Sequence, residues 1–454
     1  MNVVSNLPCG PSKSKFIQFV NFVKDPTTML IDCRNNFGNT FTLKFPGQPP
    51  YVIVSDPDDV KKLFTSSSDD INAGEINGSV LKPVLGNSSL LTLDGDKHML
   101  HRKLMLPHFH GQRMKFYGEV MQKIALDRIK QYELGESLSV FYEARDMTFD
   151  VILQTIFGIE EKNQKYLEIK NLLHELLTTI KSPFGLITLM STKLHKNMGF
   201  ITPWAKIQRL KKKIDSVLFG EIERRRHLDL SSRVDILSLL IEAKDKNGEF
   251  IKNEEIRDEM LTFLIAGHET TATAIAWCVY YSLANDNVLE KILAEIKTTG
   301  ICPEKLYEVV DKLTYLDAVL KESLRMMPVV PYIARLTKTE YQLKNRILPK
   351  NVAIIPSIYL AHRDAKNWTN PDNFNPERFL ESSEKPYTFL PFGGGIRRCI
   401  GASFATYEVK IVIATLFLKT ELALKDKKHP KLIRKGVVIA PSKGVPVIVK
   451  NKFE

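Results

Sequence analysis

The 454-residue sequence predicts a mainly α-helical chain with a minor β-sheet. Three observations carry that reading. Between 98 and 325, apolar residues recur at close to 3.6-residue spacing, with charged residues on the opposite faces. Period-two alternation is confined to short stretches within 40–54, 333–358 and 437–449. No repeat, low-complexity tract or linker interrupts the chain, so one domain is expected over 1–454.

Residues 40–45 alternate polar and apolar, and a Pro/Gly-rich turn leads into 51–54, which makes a hairpin. The stretch 65–97 is rich in Ser, Asn, Asp and Gly and reads as a long loop of the kind that serves as a lid. Helical spacing then marks 111–131, 139–157, 160–181, 203–228, 253–284 and 286–299. Strands return in 333–358, where Pro349-Lys350-Asn351 turns the chain. A helix at 401–419 precedes the last strands, 437–440 and 445–449, around Ser442-Lys443-Gly444.

One segment imitates a membrane span. Residues 260–284 carry a single carboxylate, Glu269, over a length above the roughly 20 residues a bilayer needs. Glu269 lies near the centre, where a charge costs about 2.5–3.5 kcal/mol on the mildest scale. Asn253-Glu254-Glu255 reads as an N-cap with acids in the first turn. A long helix through a large core is the better reading, with no transmembrane anchor.

Apolar residues make up 44% and charged residues 26%, which excludes a disordered chain, a collagen-like repeat and a small disulfide scaffold. The net charge of +12 admits nucleic acid, an anionic membrane or an acidic protein as partner and selects none. Five widely spaced cysteines (Cys9, Cys33, Cys278, Cys302 and Cys399) form no CxxC pair. They indicate a reducing compartment, hence a cytoplasmic location. The opening residues are too short for a signal segment.

Phe392-Gly393-Gly394-Gly395-Ile396-Arg397-Arg398-Cys399-Ile400-Gly401 is the most informative segment. Consecutive glycines let backbone approach a flat surface and adopt positive φ. The cysteine stands just before a helix and beside two arginines, and both surroundings favour the thiolate. A lone cysteine in a glycine-rich turn is more often structural. The spacing Phe-x-x-Gly-x-Arg-x-Cys instead points to a haem ligand.

At these residues the sequence resembles the cytochrome P-450 superfamily, the haem-thiolate monooxygenases. The family's other marks follow in order across essentially the whole chain. The resemblance implies a single-domain fold with haem b (iron protoporphyrin IX) between the long central helix and the cysteine loop. Cys399 would be the axial iron ligand, with Phe392, Gly401 and Ala266 against the cofactor. Glu322 and Arg325 share a helix face at i, i+3, and Pro376-Glu377-Arg378-Phe379 resembles the family loop whose Arg378 completes a structural Glu-Arg-Arg network.

Ala266-Gly267-His268-Glu269-Thr270-Thr271 resembles the family's oxygen-activation motif. A carboxylate followed by an alcohol, Glu269 and Thr270, supplies protons to dioxygen. For the haem propionates the family pattern points to Arg102, Arg335 and Arg397, with His98 where the family has tryptophan. Lysine outnumbers arginine 45 to 19, yet Arg102, Arg325, Arg335, Arg378 and Arg397 are all arginine. Bidentate carboxylate recognition requires that choice.

Leu106 to Met114 is similar to a group of soluble bacterial members, cyanobacterial ones included, that act on fatty acids, hydrocarbons or terpenoids. A small apolar substrate and O2 follow, reached through a channel formed by 65–97 and 182–203 with Phe184, Leu186 and Met190. The length leaves no room for a fused flavin reductase. Electrons would come from an acidic ferredoxin or flavodoxin with its NAD(P)H reductase, touching Arg398 and Lys410 of a monomer that binds no nucleic acid. The rival readings are a peroxide-using or isomerising enzyme on the same fold, and a non-enzymatic haem sensor.

Overall fold

The computed structural model describes residues 7–159, 164–190, 202–381 and 385–453. Helices dominate. The long central helix is continuous over Asn253–Leu283, and none of the described helices is long and apolar enough to cross a membrane. The chain groups into two compact units. The first comprises Met1–Asn72, Met121–Arg145 and Thr270–Glu454, and the second Ala73–Val120 and Asp146–Glu269.

The first unit holds the sheets. Its largest has five strands in the order Thr40–Leu43, Tyr51–Val54, Ala353–Pro356, Arg335–Thr337, Ile71–Asn72. The first two form the expected antiparallel hairpin. Tyr51–Val54 then runs parallel to Ala353–Pro356, with Tyr51 opposite Ala353. Val52, Ile53, Val54, Ala353, Ile354 and Ile355 are all buried, as a strand pair covered on both faces requires. Val52, Val54 and Ile354 join Val60, Leu63, Phe64 and Leu390 in one apolar cluster.

Ala402–Lys419 is a helix buried over nearly its whole length from Tyr407 to Phe417. The last strand, Pro446–Lys452, pairs with Ser137–Ser139 and Thr420–Leu424. Its predecessor Val438–Pro441 forms a separate hairpin with Leu432–Lys435.

The second unit is helical. Gln164–Lys181 lies against Pro203–Arg226. The guanidinium of Arg225, 1% exposed, donates to Glu221 at 2.7 Å, Asp235 at 2.6 Å and Ser238 at 2.9 Å. That charge-balanced knot ties the end of Pro203–Arg226 to the helix Ile236–Glu242.

The expected loop at 65–97 is a correction. It contains the strand Ile71–Asn72 and the helix Gly74–Leu85, and Gly95–Met105 begins within it. Gly74–Leu85 forms despite poor helix propensity because a distant carboxylate caps it. Asp94 accepts the N–H groups of Ala73, Gly74 and Glu75 at 3.0, 2.8 and 3.1 Å. Of the expected channel residues, Phe184 is exposed on the helix Pro183–Met190. Residues 191–201 and the side chains of Leu186 and Met190 lie outside the described residues.

Candidate active site

In the first unit, the segment before Ala402–Lys419 is folded by its own backbone. The Gly393 N–H donates to Leu390 O at 3.0 Å, Arg398 N–H to Gly395 O at 3.1 Å, and Cys399 N–H to Phe392 O at 3.0 Å. Gly393 and Gly395 take φ of +68° and +64°, the left-handed region that favours glycine. A Cβ at Gly394 would lie 2.4 Å from the Phe64 ring, and one at Gly395 would lie 2.3 Å from Phe64 O. Phe64 therefore moulds the loop closely from behind.

The loop ends by presenting an accessible thiol, Cys399, immediately before the helix whose N-cap is Gly401. Arg397 and Phe392 are half-buried beside it, and Arg398 is exposed. Arg335 is 7% exposed, with its guanidinium 5.9 Å from the centre of the Phe64 ring.

Of the other cysteines, Cys9 and Cys302 are also exposed and lie outside the glycine loop, while Cys33 and Cys278 are buried. Burial and Asp32 push the Cys33 thiol up to about 11, and burial pushes Cys278 up to about 12, so both are inert. Cys302 donates to Glu304. A soft donor in a glycine loop, at a helix N-terminus and with arginines in the same unit, fits haem iron and its carboxylates.

Glu322, Arg325 and Arg378 come together in this unit. Arg325 is bidentate to Glu322, Nε to Oε2 at 2.6 Å and Nη2 to Oε1 at 2.8 Å. Glu322 Oε1 also accepts from Arg378 Nε at 3.2 Å and from the Asn375 N–H at 2.9 Å. Arg325 Nη1 reaches the carbonyls of His362 and Pro371 at 2.9 and 2.7 Å. Trp368 lies under both guanidinium groups, at 5.3 and 6.0 Å. Glu322 and Arg325 are fully buried.

On the central helix, Ala266 is exposed while Glu269 and Thr270 are half-buried, in a stretch otherwise largely buried. These three stand at i, i+3 and i+4 and share one face. His268 is turned away from that face. Its Nδ1 is 2.7 Å from Leu264 O, its ring packs edge-on against Phe149 at 5.3 Å, and its carbonyl accepts the Thr148 hydroxyl at 2.9 Å. A Cβ on Gly267 would lie 2.6 Å from Ile152, so glycine here also serves packing within the second unit.

His98 and Arg102 lie one turn apart on Gly95–Met105, His98 buried and Arg102 half-buried. Sequence reasoning missed the neighbouring His101. Its Nδ1 meets Glu259 Oε1 at 2.9 Å, and burial raises the Glu259 carboxyl above the usual range. It also read Lys410 as an exposed contact. Lys410 is 5% exposed, with Nζ 2.9 Å from Asp311, because it projects from the buried helix Ala402–Lys419 and must be paired there.

Glu408, on that same helix, gives a pH prediction. It is buried, one of its oxygens lacks a hydrogen-bond partner, and burial raises its carboxyl well above the usual range. A raised folded-state value means its contribution is complete below the unfolded value of about 4.5 and is lost as pH rises. Urea unfolding should therefore show Glu408→Gln gaining stability relative to the parent as pH rises from 5 to 8. A difference constant with pH would contradict this.

The family described as Cytochrome P450 matches residues 8–448. The chain belongs to the cytochrome P450 family. A Mycobacterium tuberculosis chain that carries the name cytochrome P450 135B1 is 32% identical over 447 residues, 98% of this chain and 91% of the relative. A second from that organism, named cytochrome P450 138, is 28% identical over 99% of this chain and 97% of its own.

Among solved structures, retinoic acid-bound cyanobacterial CYP120A1 superposes with a TM-score of 0.84 at 24% identity, over 99% of this chain and all of the other. The haem domain of cytochrome P450DA gives 0.83 at 23%, over 100% and 99%. Both show the P450 fold. This P450 is accordingly a monooxygenase whose cofactor is haem b.

Proposed function

We propose that Cys399 is the axial thiolate ligand of the haem iron, in one haem domain spanning 1–454. The substrate in this reading is a small apolar molecule, a long-chain fatty acid or a terpenoid. The observation that carries the proposal is the Cys399 thiol itself, accessible on a glycine loop before a buried helix and beside Arg397 and Arg398. Bound haem supplies the oxidation, in which O2, two electrons and two protons give one oxygen atom to a C–H or C=C bond and one to water.

The chain's own residues bind, orient and deliver protons. Arg102, Arg335 and Arg397 would pair with the propionates, and His98 would donate a ring N–H in the same role. Phe392, Gly401 and Ala266 would pack against the flat cofactor. Glu269 holds a proton at its carboxylate and Thr270 passes one from its hydroxyl, on the helix face that Ala266 leaves open. Glu322, Arg325 and Arg378 brace the fold behind the ligand loop. Electrons come from an acidic ferredoxin or flavodoxin with its NAD(P)H reductase, for which exposed Arg398 is a contact on a cytoplasmic monomer.

The fold neighbour CYP120A1 is described as bound to retinoic acid, itself an apolar terpenoid acid, which supports this substrate reading. The test is turnover under 18O2 with a surrogate reductase across a lipid and terpene panel. One labelled atom per product, with an acyl or terpenoid substrate, is expected. Unlabelled, rearranged product would favour the isomerising reading instead.

A further inference from the structure

His362 is a fully buried histidine that no part of the reaction above uses. It lies between the Glu322–Arg325–Arg378 network and the loop that carries Cys399. Its carbonyl accepts Arg325 Nη1 at 2.9 Å. Its ring Nε2 accepts the Leu390 N–H at 2.8 Å and stacks on Phe389, centroids 5.3 Å apart and planes 30° from parallel.

From Leu390 the hydrogen bonds continue without a side chain. Leu390 O accepts the Gly393 N–H, and Phe392 O accepts the Cys399 N–H, each at 3.0 Å. A buried backbone N–H needs an acceptor, and the Leu390 N–H has an imidazole nitrogen in that role. The acceptor role requires the neutral ring with its proton on Nδ1. Burial, reinforced by the charges of Arg325 and Arg363, holds His362 down at about 3 and keeps it neutral.

We infer that His362 is the positioning residue of the ligand loop. It transmits the rigidity of the Glu-Arg-Arg network to Cys399 through the Leu390 N–H and thereby sets the thiolate's place and hydrogen bonding. This rests on the reading of Cys399 as ligand. A broken link leaves the fold braced but frees Phe389–Phe392, so the ligand bond suffers before global stability does.

His362→Gln and His362→Met are nearly equal in volume and differ in the acceptor, which a Gln oxygen can supply near the Nε2 position. The readout is the reduced CO spectrum and the reduction potential of holoprotein. The Gln variant should keep the red-shifted Soret band of thiolate ligation. The Met variant should lose most of it on reduction and shift in potential, with circular dichroism still native. A full red-shifted band and unchanged potential in the Met variant would overturn the inference, as would equal loss in both variants.

Ring 15N shifts of His362 in the wild-type reduced CO complex give a check independent of variant folding. The Nδ1–H tautomer is expected, and an Nε2–H tautomer overturns the inference. A wild-type protein with no red-shifted band would instead overturn the assignment of Cys399, so the two failures are distinguishable.

Discussion

Glu322→Ala should abolish accumulation of folded, haem-loaded protein. The carboxylate is fully buried and accepts four hydrogen bonds, two from Arg325 and one each from Arg378 and the Asn375 N–H. Truncation leaves the Arg325 guanidinium charged, fully buried and without a counter-ion. Breaking such a pair costs about 3–5 kcal/mol. Against a total stability of roughly 5–15 kcal/mol, that depopulates the native state at the low end of the range and removes about a third to a half of the stability in its middle.

Glu322→Gln keeps the shape and part of the hydrogen bonding and should lose less. Haem content of purified protein and urea midpoints measure both. A stable, haem-loaded Glu322→Ala variant would show that the network is not a brace.

Thr270→Ala should retain haem and substrate binding yet divert electrons to hydrogen peroxide. The substitution removes one hydroxyl from the accessible face of the central helix and leaves Ala266 and Glu269 in place. Packing is little changed, because Thr270 is half-buried and alanine is the better helix former. Loss of a positioned proton donor costs on the order of 10²-fold in product formation, while consumption of NADPH should fall far less. Product and peroxide measured per NADPH check this, and unchanged coupling would remove Thr270 from proton delivery.

Legibility in the sequence followed the range of the interaction. Long helices such as Asn253–Leu283 and Pro203–Arg226 were readable because their apolar spacing is a local property. The Cys399 loop was readable because three glycines, an arginine and a cysteine constrain one short piece of backbone.

What escaped depends on partners far along the chain. Gly74–Leu85 looks like a loop until Asp94 caps it from about 20 residues away. Lys410 reads as a surface charge until Asp311, 99 positions distant, is placed beside it. His101 stands three residues from the histidine that the family pattern marks, and its carboxylate partner lies 158 positions further on. Trp368 and His362 escaped for the same reason. One lies under two guanidinium groups and the other accepts a backbone N–H, and neither role leaves a local pattern.

Every role proposed for this chain's residues at the haem depends on Cys399 ligating the haem iron. The most direct test is the absorption spectrum of the dithionite-reduced protein under CO, for the wild type and for Cys399→Ser. A strongly red-shifted Soret band in the wild type, absent from a folded Cys399→Ser variant, is the predicted result. The same band persisting in Cys399→Ser, or no haem in the purified wild type, would contradict it.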